Sequence, residues 1–170
     1  MRVDTGGFSV DFTDAVDAFV FDETDPNSTH FHGAPMKAVD IVAEFPDRYV
    51  FVEIKDPHDP ALYDTATTAE PAEAREKRDR FVWLKEYLKY KYRDSYLYRH
   101  AEDRVDKPIF YFCLLMFENP LNMALQKSLR QELPVGRSSE RWQRSLVQNC
   151  HVLNLEKWNQ VFPKWPARRI

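Results

Sequence analysis

The sequence predicts an α/β domain built on a central mixed sheet covered by helices, and three observations predict it. Two β-type runs, 38–45 and 49–55, lie close together; helical periodicity then begins at Pro71; a buried-strand pattern, Ile109 to Phe117, comes after it. At 170 residues the chain suits one domain, 1–170, with room for a sizeable core. Hydrophobic residues at 44% mark a folded chain and exclude a disordered one.

The elements follow in order. Thr13 to Val20 reads as a short helix capped by Thr13, with Asp14 in its first turn; Phe19 to Asp22 reads equally as the start of a strand. Asp25-Pro26-Asn27-Ser28 is a loop signal. The two β-runs are separated by Pro46-Asp47-Arg48, Asp56-Pro57 closes the second, and a polar loop runs to about Glu70. Pro71 opens a long helix to about Leu97, with Phe81, Leu84, Leu88 and Ser95 on one stripe. Lys107-Pro108 introduces the 109–117 strand. Glu118-Asn119-Pro120 starts a helix ending near Pro134-Val135-Gly136, and Ser138-Ser139-Glu140 starts a further one. His151 to Leu155 reads as a short strand and Glu156 to Phe162 as a terminal helical turn or two.

Several function classes recede on composition. No secretory signal pattern is read at the start, and the longest apolar run is too short to span a bilayer, so no membrane partner is expected. Cys113 and Cys150 lack metal-ligand spacing and read as buried thiols of a reducing, cytoplasmic compartment. The net charge of −3 argues against a generic polyanion binder. The average hides a gradient, however. Residues 1–60 hold 4 Lys/Arg against 13 Asp/Glu, and residues 127–170 hold 9 against 3. An acidic metal site beside a phosphate-binding surface would give this pattern, and so would unevenly spread surface charge.

The hairpin carries the chemistry. Val39, Ile41, Ala43 and Phe45 share a face with Val50, Val52 and Ile54, all apolar and therefore core. The other face carries Asp40, Val42, Glu44, Tyr49, Phe51, Glu53 and Lys55. A turn centred on Pro46-Asp47 sets Asp40 opposite Glu53 and Val42 opposite Phe51. Directly opposed carboxylates repel, so the pair requires a cation or a proton. Lys55 supplies one positive charge; a divalent ion would satisfy both acids more fully, and oxygen ligands suit Mg²⁺ or Mn²⁺.

Asp40, twelve intervening residues and then Glu53-Ile54-Lys55 resemble the PD-(D/E)XK nuclease superfamily, with Val39 where the family name has Pro. The resemblance implies a restriction-endonuclease-like αβββαβ core, with the residues after about 118 as C-terminal additions. It further implies metal-dependent hydrolysis of phosphodiester bonds in DNA or RNA. Asp40, Glu53 and the Ile54 backbone carbonyl would hold Mg²⁺ or Mn²⁺. Lys55 would orient or deprotonate the attacking water, or stabilise charge developing on phosphate. Members of the family often add an acid from the first helix, for which Asp17, Asp22 and Glu23 are the candidates. The helix after the Glu-x-Lys strand often lends a polar residue, which nominates Lys91 and Arg93; snorkelling of the Lys91 stem is the structural alternative.

Other features carry less. His30, His32 and His58 offer no full ligand set and read as loop histidines. Tyr87, Tyr90, Tyr92, Tyr96 and Tyr98, with neighbouring Lys and Arg, suit either base stacking or packing. Trp142, Trp158 and Trp165, with Arg168 and Arg169, read as packing plus a basic tail. The alternative function is a non-catalytic module on the same fold that binds nucleic acid or a protein. A homodimer or a protein partner suits a domain of this size, although no residue points to one.

Overall fold

The computed structural model describes residues 1–57, 63, 71–137 and 139–170. A five-stranded mixed sheet forms the centre, in the order β3-β4-β5-β6-β7: β3 Asp17–Val20, β4 Ile41–Glu44, β5 Tyr49–Lys55, β6 Ile109–Leu115 and β7 Asn149–Leu153. The first three strands form an antiparallel meander, and β6 and β7 then add in parallel. The helix α1 (Pro71–Ala101) lies between β5 and β6 in sequence, and α2 (Asn119–Glu132) between β6 and β7. Parallel neighbours need such crossovers, which explains why the two longest helices sit at those points.

Both faces of the sheet are covered, so its strands read as near-continuous apolar runs. On one face Leu84, Leu88 and Tyr92 of α1 and Leu121, Leu125 and Leu129 of α2 pack on Val42, Phe51, Tyr111 and Cys113. On the other, Ile41, Ala43, Val50, Val52 and Phe112 meet Val3, Phe8 and Val10, together with Trp158 of α3 (Leu155–Val161). Those outer residues belong to a small antiparallel sheet of order β1-β2-β8, formed by β1 Arg2–Thr5, β2 Phe8–Asp11 and β8 Ala167–Arg169. The expected basic tail is therefore a strand. Cys113 and Cys150 are buried and free.

The central hairpin has the expected register, Ile41 opposite Val52 and Val42 opposite Phe51, and is closed by the Phe45 N–H donating to the Arg48 carbonyl at 2.8 Å. Its start differs. The chain leaves the ladder at Asp40, so Val39 turns to the α1 side instead of sharing a face with Ile41. Residues 13–16 form turns, with Asp14 at φ 68°, and 17–20 is an edge strand; the helix reading of 13–20 is corrected to the strand reading. The helix expected to begin at 138–140 is absent among the described residues: 139–148 are irregular and anchored by the bridge between Val135 and Val147. Ser138 and residues 58–62 and 64–70, expected as a polar loop and including His58, lie outside the described residues.

Candidate active site

Asp40 is placed by three elements. Its carbonyl accepts from the Phe21 N–H at 2.8 Å, and the neighbouring Val39 N–H donates to Ser95 Oγ on α1 at 2.9 Å. Its carboxylate Oδ2 accepts from the Ile54 N–H at 2.6 Å. This bond occurs where β5 runs past the end of β4, so the side chain serves a backbone donor that the ladder no longer reaches. Asp40 and Glu53 are thus brought together, but by a side-chain cap on Ile54 and not by the direct cross-strand opposition expected from the sequence.

Glu53 is 1% exposed, and its Oε2 accepts no hydrogen bond among the described residues. Lys91 comes down from α1, with Nζ 3.5 Å from that oxygen and 2.9 Å from Asp22 Oδ2. Burial, and then the Asp40 charge, push the Glu53 carboxyl up to about 8, against the opposing pull of Lys91. Asp40 is also raised, by burial first; the Ile54 N–H and Lys91 oppose that shift and Asp22 adds to it. Burial works against the Lys91 charge, yet Glu53, Asp40 and the Asp22 hydrogen bond outweigh it and raise its pKa. The cluster is three acids, Asp22, Asp40 and Glu53, around one buried ammonium.

Lys55 projects over aromatic rings of α1, with Nζ 4.7 Å from the Tyr87 centroid and 5.4 Å from that of Trp83. Burial and the adjacent Glu53 carry the Tyr87 hydroxyl up to about 12. Lys37 Nζ also lies over Tyr87 at 4.9 Å, as does Lys91 at 5.4 Å.

Among the accessory candidates Asp22 and Lys91 reach the site, and Asp22 comes from the end of β3, since no helix precedes that strand among the described residues. Three candidates do not. Asp17 pairs with Glu44 at the far end of the meander, Glu23 caps the Asp25 N–H in a local loop, and Arg93 is exposed beside Tyr90. His30 stacks on Phe19 at 4.2 Å, and His32 packs between Phe21 and Tyr98, both as packing groups. Trp83 and Lys37 were not anticipated. Trp83, Tyr87 and Lys91 recur every fourth residue on α1, a spacing visible in the sequence.

The donor set is suited to a hard divalent ion in type, two carboxylates and the Ile54 carbonyl, and Glu53 Oε2 accepts no hydrogen bond among the described residues. The set is small: among the described residues no group of three or more His, Cys, Asp and Glu lies close enough to hold a metal. No family model matches the chain, and neither a curated protein nor a solved structure is significantly similar to it.

Proposed function

We propose that the chain is a metal-dependent nuclease of the PD-(D/E)XK type, acting on phosphodiester bonds of DNA or RNA. The observation that carries this reading is the buried Glu53 carboxylate beside Asp40, one oxygen of which accepts no hydrogen bond among the described residues, with Lys55 two residues further along β5. The element order supports it too: a three-stranded meander, a helix, then a strand parallel to the third, as in the βββαβ part of a restriction-endonuclease-like core. The leading helix of that core is replaced here by β1 and β2.

In this reading Asp40, Glu53 and the Ile54 carbonyl would hold Mg²⁺ or Mn²⁺, which would supply a Lewis acid for the phosphate and for water. Lys55 places a positive charge where charge develops on the phosphate oxygens and hydrogen-bonds the attacking water. Lys91 holds Asp22 and Glu53 in place and limits repulsion between the acids before the ion enters. A second reading, a non-catalytic binding module, draws on the same lysine, because Lys91 already supplies the acids with a counter-charge.

Incubation of the protein with labelled single- and double-stranded DNA and RNA in Mg²⁺, Mn²⁺ or EDTA separates the two. Metal-dependent cleavage that is lost in Glu53→Gln and Lys55→Ala proteins is the expected result. A folded protein that cleaves none of them favours the binding module.

A further inference from the structure

Trp83 is 51% exposed on α1, although an indole of that size is normally drawn into a core. Its ring stacks on Tyr87 with centroids 5.3 Å apart and planes 23° from parallel. The pair is a flat aromatic step with one face inward and the indole outward. Three ammonium groups surround it: Lys55 over both rings, with Lys37 and Lys91 over Tyr87. A hollow of about 410 Å³ opens on the Trp83 side and is lined also by Tyr63, Glu76, Asp79 and Arg80. Lys91 pairs at the same time with Glu53, and the Lys55 charge acts on Asp40, so the step and the site are continuous.

An exposed indole with the Lys55 ammonium over it and two further lysines over the Tyr87 ring behind it matches a ligand that alternates π-faces with anions, with Glu76 and Asp79 confined to the hollow beyond the indole; that is the chemistry of an unpaired nucleic-acid strand. A base in a duplex has both faces occupied by its neighbours and cannot use such a step without being unstacked. We propose that Trp83 and Tyr87 form a stacking platform for the nucleobase next to the phosphate held by Lys55 and Lys37, which makes single-stranded nucleic acid the substrate class. The inference rests on the nuclease reading for its place beside a scissile phosphate, but the binding it describes is measurable without cleavage.

Fluorescence anisotropy of a labelled single-stranded oligonucleotide in EDTA tests it, against the same sequence as a duplex and against a strand of equal charge with abasic sites. The expected result is preference for the intact single strand over both. Affinity should fall about tenfold in Trp83→Ala, a typical loss for one stacked base, while Trp83→Phe retains most of it. Trp142→Ala, at a tryptophan remote from the site, should leave affinity unchanged. Equal binding of abasic and intact strands, equal binding by Trp83→Ala, or no strand binding by the folded wild type would overturn the platform. The two readings fail separately. Trp83-dependent binding without metal-dependent cleavage removes the nuclease and keeps the platform; cleavage with an unaltered Trp83→Ala affinity does the reverse.

Discussion

At the residue scale the unusual group is Glu53, an acid with 1% exposure that shares its surroundings with Asp40. An ionised carboxylate in that position is costly, and Lys91 at 3.5 Å offsets only part of the cost. A carboxyl raised from 4.5 to about 8 keeps its proton in the folded chain after the unfolded chain has released it. The folded state therefore binds more protons across that window, and Glu53 makes stability fall as pH rises from about 4.5 to about 8. Glu53→Gln removes the titration while keeping the shape. Melting temperatures from about pH 5 to about pH 9 should fall less steeply in this variant than in the wild type, with a gain of about 1–3 kcal/mol above pH 8. Parallel melting curves would show that Glu53 ionises at its ordinary value.

At the element scale α1 ties the site together. The helix buries Leu84, Leu88, Lys91, Ser95 and Arg99, a stripe that faces the sheet and sets Lys91 over Glu53 and Ser95 under the Val39 N–H. Lys91→Met keeps the packing stem and removes the ammonium. In EDTA this variant should lose about 1–3 kcal/mol of stability, because the acids are left with less compensation. Added Mn²⁺ should restore more stability to it than it adds to the wild type, and a variant indifferent to Mn²⁺ would place no ion among these acids.

Legibility in the sequence also divides by element. The strand 49–55 was readable end to end because Pro46-Asp47 and Asp56-Pro57 bracket it, and the turn set the register that placed Val42 opposite Phe51. The departure at Asp40 was not readable, since it depends on hydrogen bonds to Ser95 and Ile54 that are remote along the chain. The cap signal at Thr13-Asp14 pointed to a helix, but pairing of 17–20 with β4 overrode it. Gly6-Gly7, with φ of 57° and 77°, is the turn that joins β1 to β2, and the chain does carry that hairpin signal. That the acids at positions 40 and 53 come together was legible from the short hairpin between them, but the Ile54 cap that joins them was not. Asp22 could only be listed beside Asp17 and Glu23, because choosing among them requires knowing where Lys91 ends up.

At the scale of the whole molecule, the central sheet is sealed by helices on one face and by the β1-β2-β8 sheet with α3 on the other. No helix among the described residues is long and apolar enough to cross a membrane. The acidic and basic ends of the sequence meet at one point, where Arg169 of β8 pairs with Asp56 just beyond β5. The positive charge that acts on the acids comes from Lys91 of α1 and from Lys55, not from the basic C-terminal residues. A layered scaffold that buries a carboxylate and leaves one of its oxygens without a hydrogen bond expends stability at a single point, as binding sites do.

The most direct test of that claim is calorimetric titration of Mn²⁺ into the wild type and Asp40→Asn at two pH values, one below and one above about 8. Asn retains an acceptor for the Ile54 N–H, so the variant should fold while losing the charge. The account predicts that the wild type binds Mn²⁺ more tightly at the higher pH, as Glu53 gives up its proton, and that Asp40→Asn loses affinity at least about tenfold. Equal Mn²⁺ affinity in the two proteins, or no binding by the wild type at either pH, would contradict it.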